Sequence, residues 1–452
     1  MREQTIFDLI YQPFKIDKPI RLIELFSGYG SQALALKYLG VPFEHWKTCE
    51  WAIKSIQAYK DIHFENDNND YSATFDEDYI KDFLFKKGIS SNYNEPMTKK
   101  QIDRMSEQYA RNVFNNIVAT RNLVNIQQVK GSDLEIKDTD KYCYILTYSF
   151  PCQDLSLAGK GKGMSDTSTR SGMLWEVERI LTELEEKPQI LLMENVPQVH
   201  SEDNKEDFKK WILRLEELGY KNYWQDLIAT DYGIPQTRNR CFMVSILGDY
   251  SYSFPPKQEL KLKLKDMLED EVDEKYYLSD ATLNTGGETK ILIKNATKKG
   301  YLEAEEGDGV DISSRMEYHR GTVQKGKTQT LTTMGGENNG VVVNRFYEQA
   351  LETFNNNEVE DGDIIDAYNK KVINDGNSPT ITTRPEGFKT AILPVQDLRI
   401  RKLTPKECFR LMGVKDDDFE KVAKNQSDAS LYRLAGDSIV VNVLMAIFKE
   451  AL

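Results

Sequence analysis

The sequence predicts an α/β protein: an open, mostly parallel sheet with helices on both faces, plus a smaller, irregular β-rich domain. Three observations predict it. Short apolar runs alternate with segments of helical period over roughly residues 1–248, and a glycine turn joins the first such pair. After about 249 the texture changes to Gly, Asn and Thr in short alternating runs with scattered lysines.

Residues 20 to 26, I-R-L-I-E-L-F, lie between a proline and S-G-Y-G, the pattern of a buried strand. The following S-Q-A-L-A-L-K-Y-L-G has helical spacing and a terminal Gly40. A second strand, F-E-H-W-K-T-C-E, ends in Glu50, and W-A-I-K-S-I-Q-A-Y-K continues as a helix. Between about 62 and 130 an acidic loop and a helix-like segment from Lys99 to about Val124 interrupt the alternation and read as an insertion. The alternation resumes with strand Y-C-Y-I-L-T-Y-S-F (142–150), helix M-L-W-E-V-E-R-I-L-T-E-L, strand Q-I-L-L-M-E, helix F-K-K-W-I-L-R-L-E-E-L, and strands near 220–229 and 241–247. Further on, K-T-Q-T-L-T-T (327–333) is echoed by N-S-P-T-I-T-T (377–383), which predicts duplicated β-ribbons; two copies are too few for a solenoid. The closing S-I-V-V-N-V-L-M-A-I-F-K-E-A-L is a helix apolar enough to be buried. The expected boundaries are a first domain over 1–248, a second over 249–428 that includes the basic segment 399–414, and a helix over 429–452 returning to the first domain.

Composition excludes several classes. At 452 residues, with 40% hydrophobic and 29% charged, the chain is ordinary for a soluble globular protein of two or three domains. No apolar run reaches the roughly 18 residues of a membrane span, and the N-terminus lacks the pattern of a cleavable signal, so a cytoplasmic protein is expected. Five cysteines without a C-x-x-C pair and only four histidines give neither a disulfide framework nor a zinc site, and no metal is expected. A net charge of -13 argues against indiscriminate coating of nucleic acid but allows one local basic face. The charge is uneven: 61–78 is almost purely acidic, a solvated patch by the usual reading, and 399–410, R-I-R-K-L-T-P-K-E-C-F-R, is basic.

The first turn, E-L-F-S-G-Y-G, sets glycines where a strand meets a helix N-terminus, so backbone can approach a ligand. Glu50, at the end of the next strand, suits ribose hydroxyls, and Trp51 beside it offers a face to an adenine ring. Asp133 in K-G-S-D-L-E-I suits the adenine amino group, although an exposed turn aspartate fits as well. The chain has neither a G-x-x-x-x-G-K-[ST] loop nor a full G-x-G-x-x-G, which favours a nucleoside-like cofactor without a pyrophosphate, with S-adenosylmethionine the natural candidate.

The cysteines rank by context. Cys143, Cys241 and Cys408 read as packed, and Cys49 as lining a pocket without reacting. Cys152 stands at a strand's C-terminal end in a loop, where open α/β sheets put their active sites, with Lys160, Lys162 and Arg170 nearby to favour a thiolate. Glu194 ends the buried strand Q-I-L-L-M-E, a costly place for an idle charge. Arg238 and Arg240 share one side of the next strand by its period of two. Each of these also fits a structural ion pair.

In this order the motifs resemble the DNA (cytosine-5) methyltransferases: E-L-F-S-G-Y-G the cofactor turn, S-F-P-C-Q-D-L-S the nucleophile loop, E-N-V the acid motif, Q-T-R-N-R the arginine motif, and R-K-L-T-P-K-E-C-F-R-L-M-G and A-G-D-S-I-V-V-N-V the closing motifs. The matching segments cover about 20–248 and about 397 to the end. The resemblance implies a Rossmann-like, S-adenosylmethionine-dependent sheet with an irregular target-recognition domain between about 249 and 396. It implies Cys152 as nucleophile, Glu194 as the acid at the base, and Arg240 with Arg238 as orienting cations. Cofactor contacts fall on Phe26, Gly28, Gly30, Glu50, Trp51, Asp133, Ser438 and Val440. Substrate contacts fall on Pro151, Gln153, Asn195, Val196, Gln236 and, in G-K-G-K-G (159–163), on Lys160 and Lys162 of a loop closing over a flipped cytosine.

By this resemblance the chain is expected to be a site-specific DNA (cytosine-5) methyltransferase of restriction-modification, orphan or phage type. It is expected to act as a monomer on double-stranded DNA and to release S-adenosylhomocysteine, with a cognate restriction endonuclease as an expected partner. Two departures stand out: Ser149 where the family often has glycine, and Asp437 where it typically has asparagine. The rival readings are a tRNA cytosine-5 methyltransferase and a non-catalytic DNA-binding relative. The large variable region argues against the first, and the intact Cys152, Glu194 and Arg240 set against the second.

Overall fold

A computed structural model describes residues 12–151, 171–277, 284–285, 290–313, 320–332, 339–344, 364–366, 371–373, 390–392 and 398–452. It falls into two compact units, Met1–Lys261 with Phe409–Leu452, and Leu262–Cys408.

The first unit is built on a six-stranded sheet of β1 (Ile20–Leu25), β2 (Phe43–Cys49), β3 (Cys143–Tyr148), β4 (Ile190–Asn195), β5 (Tyr220–Ile228) and β6 (Asn239–Leu247), in the order β2-β1-β3-β4-β6-β5. The first four are mutually parallel, and β6 runs antiparallel to both β4 and β5. Every residue of β3 and β4 is buried, as strands covered on both faces require. The helices of this unit include α1 (Ser31–Leu39), α2 (Ile53–His63), α3 (Glu77–Lys87), α4 (Lys99–Asp103), α5 (Glu107–Ala119), α6 (Leu174–Glu183), α7 (Lys205–Glu217), α8 (Asp416–Ala423), α9 (Asp428–Asp437) and α10 (Val441–Ala451). On one face α6 and α7 close a core centred on the fully buried Trp211, Tyr148 and Tyr220.

The final helix returns to this unit: α10 packs along α1, whose first six residues are buried. So does the chain before it. The Lys37 ammonium meets Asp418 at 2.7 Å and α8 packs on α2, so residues 409–428 join the first unit, against the expected boundaries of 248/249 and 428/429. The stretch Asp428–Ala451 is long and apolar enough to cross a membrane by length and composition, but 78% of its window is buried within the protein and it breaks at Ser438–Val440.

The insertion forms a small helical subdomain whose core includes Ile80, Leu84, Ile102, Phe114 and Ile117, with Trp51 packed against it. The expected continuous helix from Lys99 is two helices, because the Ser106 hydroxyl accepts from the Tyr109 amide and starts α5 afresh. Past α5 the chain runs beside β2, the Leu123 amide donating to Thr48 O at 2.8 Å. Several of the acids of 61–78 shape the backbone: Asp76 caps α3 through the Tyr79 amide, and Asp70 accepts from both the amide and the hydroxyl of Ser72.

The second unit consists of short antiparallel strands. One sheet joins Asn284–Thr285, Ile291–Lys294 and Tyr301–Ala304; another joins Gly309–Asp311, Val323–Gln324, Asn339–Asn344 and Leu398–Lys402; a third joins Ile364–Asp366, Lys371–Ile373 and Thr390–Ile392. Its apolar centre is Ile291, Ile293, Ala304, Val310 and Val342. Residues 327–332 form no strand of their own, and 377–383 lie outside the described residues. In the basic closing segment Arg401 is not a solvated charge: it is 2% exposed and forks onto the buried Glu407 carboxylate at 2.6 and 2.8 Å.

Candidate active site

The C-terminal ends of β1 to β4 form one edge, with Leu25, Cys49, Tyr148 and Met193 in register across it. At this edge β1 turns through Phe26 (φ 58°) and Gly28 (φ 53°), both left-handed, and the amides of Phe26 and Ser27 donate to Cys49 O. A Cβ on Gly28 would meet nothing within 4 Å, so this glycine faces open space. Gly30 has a different reason to be glycine: its Cβ would collide with His63 Nε2 and the Tyr59 ring, so the residue lets the turn approach α2 closely.

Glu50 bridges this turn, its carboxylate accepting from the Gly28 amide at 3.1 Å and the Ala52 amide at 2.8 Å. Burial pushes its carboxyl up to about 7, opposed by those amides and reinforced by Asp437. The Ser27 hydroxyl is buried without a hydrogen-bond partner. An open-faced left-handed turn, an orphaned hydroxyl and an enclosed carboxylate suit a nucleoside-type ligand. Ser438 completes this edge through its side chain, 2.7 Å from the Tyr29 hydroxyl, while the buried Val440 starts α10. Trp51 is half-buried, supported by the insertion's core.

One strand further, Glu194 lies at the end of β4, 10% exposed, and its carboxylate meets Arg240 Nε at 3.1 Å. Burial raises its carboxyl above the ordinary range, and Arg240 and Arg238 pull it back. The Asn195 amide nitrogen donates to Phe150 O at 3.0 Å, and its oxygen accepts from the Val196 amide at 2.8 Å. Asn195 thereby fixes the backbone that leads through Pro151 to Cys152.

Cys152, Gln153, Lys160, Lys162 and Arg170 lie outside the described residues. The other four cysteines are all buried and unpaired by disulfides. Burial pushes the Cys143 thiol up to about 12, and raises Cys49, Cys241 and Cys408 further. None of the four has the electropositive, accessible setting of a reactive thiol.

Three expected site residues make scaffold bonds, and one of them, Asp133, lies away from the expected edge. Asp133 accepts from the Lys130 amide at 2.9 Å, within a turn whose Leu134 carbonyl bonds Trp46 in the middle of β2, not at the sheet's C-terminal edge. Arg238 donates to the carbonyls of Gly436 at 3.1 Å and Ser438 at 2.7 Å, so it ties the closing motif down, while its charge acts on Glu194 together with that of Arg240, which meets the acid directly. The fully buried Gln236 amide donates to Leu411 O at 2.7 Å, a scaffold bond.

Sequence reasoning missed two residues. Asn122 clamps both sides of the Glu50 backbone, accepting from its amide at 3.0 Å and donating to its carbonyl at 2.9 Å. Glu24, 1% exposed, takes the Tyr59 hydroxyl at 2.6 Å and the Ala33 amide at 3.2 Å. Behind Glu194, His200, Asp226 and Cys241 hold ligand-type atoms within 4.8 Å of one another, and His200 bonds Asp226 directly at 2.9 Å.

Comparison with known proteins gives the family. The family model described as C-5 cytosine-specific DNA methylase matches residues 85–452. The chain is 31% identical over 436 residues to the type II methyltransferase M2.ScrFI of Lactococcus lactis subsp. cremoris, covering 95% of this chain and 98% of that protein. It is 36% identical over 296 residues to the orphan methyltransferase M.SssI of Spiroplasma monobiae, covering 63% of this chain and 74% of that protein. Among solved structures, a methyltransferase of Entamoeba histolytica superposes with a TM-score of 0.54 at 15% identity, over 96% of this chain and 98% of that one, a likeness of fold. The chain belongs to the C-5 cytosine-specific DNA methylases.

Proposed function

We propose that this enzyme of DNA cytosine-5 methylation works as a sequence-specific methyltransferase on duplex DNA, with Cys152 as its nucleophile and S-adenosylmethionine as its methyl donor. The observation that carries the reading is the constellation at the C-terminal ends of β3 and β4: Glu194 held by Arg240 at 3.1 Å, and Asn195 bonded to Phe150 O, two positions before Cys152 in the sequence.

Carbon 5 of cytosine is a weak nucleophile until a thiolate adds to carbon 6 and makes the ring enamine-like, which is the task of Cys152. Glu194, whose carboxyl pKa is raised by burial, holds or protonates ring N3 as charge develops there. Arg240 steadies that acid and faces the base with positive charge. When bound, S-adenosylmethionine supplies the electrophilic methyl group and leaves as the thioether. A water then takes the carbon 5 proton, and elimination of the Cys152 thiolate restores the ring. Attack over the ring face requires the base to leave the stack, and Lys160 and Lys162 are assigned to the backbone phosphates of the flipped nucleotide.

The turn 26–30, Glu50, Trp51 and the 436–440 segment form the cofactor side. Unit 262–408, with its short antiparallel strands, is assigned to target recognition. Relatives named type II and orphan methyltransferases support a role either beside a restriction endonuclease or alone. The test is transfer of labelled methyl groups to unmethylated plasmid DNA and to tRNA, followed by bisulfite sequencing of the host's DNA. Label as 5-methylcytosine in DNA at one recurring sequence is expected; label confined to tRNA would overturn the duplex-DNA reading.

A further inference from the structure

The insertion reaches the cofactor edge. Its Ser90, fully buried, pairs with the residues after Glu50: the Ser90 amide donates to Trp51 O at 2.7 Å and the Ile53 amide to Ser90 O at 2.9 Å. The Ser90 hydroxyl also donates to Glu95 O at 2.7 Å and accepts from the Tyr93 amide at 3.0 Å. Asn92 closes the same loop by accepting from the amides of Asn94 at 2.9 Å and Glu95 at 3.2 Å. The loop so braced holds Tyr93 at φ 66°, a conformation costly for an aromatic residue and kept only where its surroundings fix it.

The Tyr93 ring lies under the Arg433 guanidinium, whose carbon sits 3.9 Å from the ring centroid, and Arg433 Nε pairs with Asp437 at 3.4 Å one helical turn along α9. The Tyr93 hydroxyl is enclosed beside Ser55 without a hydrogen bond of normal geometry. Tyr93, Arg433, Asp437 and Glu50 interact electrostatically as one cluster. Asp437 brings a second carboxylate toward Glu50, and Arg433, stacked on Tyr93 and paired with Asp437, is the larger of the two cations that balance it, Arg238 being the other. A charge on Asp437 without that balance would repel the Glu50 carboxylate that the cofactor needs ionised.

We infer that the insertion completes the cofactor pocket, with Tyr93 as a positioning residue that stacks Arg433 over Asp437 and so keeps the Glu50 side of the pocket fit for the adenosine of S-adenosylmethionine. The inference rests on the cofactor reading above. It accounts for both the insertion's attachment to Glu50 and the aspartate in A-G-D-S.

The test is equilibrium dialysis of the full chain with S-adenosylhomocysteine, beside steady-state and single-turnover methylation. Tyr93→Ala raises the dissociation constant and the cofactor KM about tenfold, equivalent to ~1.4 kcal/mol. KM for DNA and the single-turnover rate at saturating cofactor stay as in the wild type, a split that a general loss of structure would not give. Tyr93→Phe, which keeps the ring, restores binding. Arg433→Gln weakens binding alone and recovers when combined with Asp437→Asn, because the unbalanced charge is then gone. Wild-type affinity in a folded Tyr93→Ala protein, or no recovery in the Arg433→Gln, Asp437→Asn pair, overturns the inference. Failure of the wild-type chain to bind S-adenosylhomocysteine defeats the cofactor reading itself and is read separately, from the control.

Discussion

Cofactor affinity should depend on pH through Glu50. Its carboxyl, enclosed between the turn and Ala52, is pushed up to about 7, and a protonated carboxyl loses acceptor strength toward ribose hydroxyls. If only the ionised form binds, the apparent dissociation constant scales as one plus the ratio of proton concentration to the acid constant. With a pKa of about 7, that factor is about 1.1 at pH 8 and about 11 at pH 6, so affinity falls roughly tenfold, or ~1.4 kcal/mol, as the pH is lowered. Titration calorimetry with S-adenosylhomocysteine from pH 6 to 8 measures it directly. Asp437→Asn, which removes one cause of the upward push, moves the midpoint to lower pH, and Glu50→Gln abolishes the dependence. Affinity flat across this range in the wild type, or a Gln variant that keeps the slope, would refute the reasoning.

Asn195→Ala strands the Phe150 carbonyl in a buried site, at a cost of about 1–3 kcal/mol; melting temperature and the single-turnover rate both fall while cofactor affinity holds. Arg240→Ala removes the cation in direct contact with Glu194 and leaves only the weaker pull of Arg238, so single-turnover methylation drops on the order of 10²-fold and the carboxyl's pKa in the pH–rate profile rises. For Glu24, burial raises the carboxyl from 4.5 to about 7, so the folded state binds this proton more tightly than the unfolded chain. Its stabilisation is complete below about pH 4.5 and is lost as pH rises through about 7; Glu24→Gln therefore flattens the decline of the urea midpoint between pH 5 and 8.

The sheet was legible because β1 to β4 are apolar runs closed by turn residues, and because carboxylates at the ends of buried strands stand out in any reading of the chain. Glu50 and Glu194 emerged for that reason. Asn122 did not, since its partner Glu50 is 72 residues away and nothing local marks an asparagine after a helix as a clamp. Asp133 misled because the insertion obscured which segment runs beside β2; that segment is 121–123, and the acid after it serves a turn. The period of two grouped Arg238 with Arg240, and both charges act on Glu194, but nothing local showed that the Arg238 guanidinium also holds the carbonyls of Gly436 and Ser438, some 200 positions on. Tyr93 carried no signal at all: its role depends on a left-handed loop and on an arginine 340 positions later in the numbering.

The central claim is that Cys152 adds to the target cytosine. A duplex carrying the bisulfite-defined recognition sequence, with 5-fluorocytosine at the target position, tests it most directly, since fluorine at carbon 5 cannot leave as a proton and the adduct cannot eliminate. With S-adenosylmethionine present, a protein–DNA species that survives denaturation is expected, its cross-linked peptide containing Cys152, and Cys152→Ala should form none. A cross-link through another residue, or methylation by Cys152→Ala at the wild-type rate, would contradict the account.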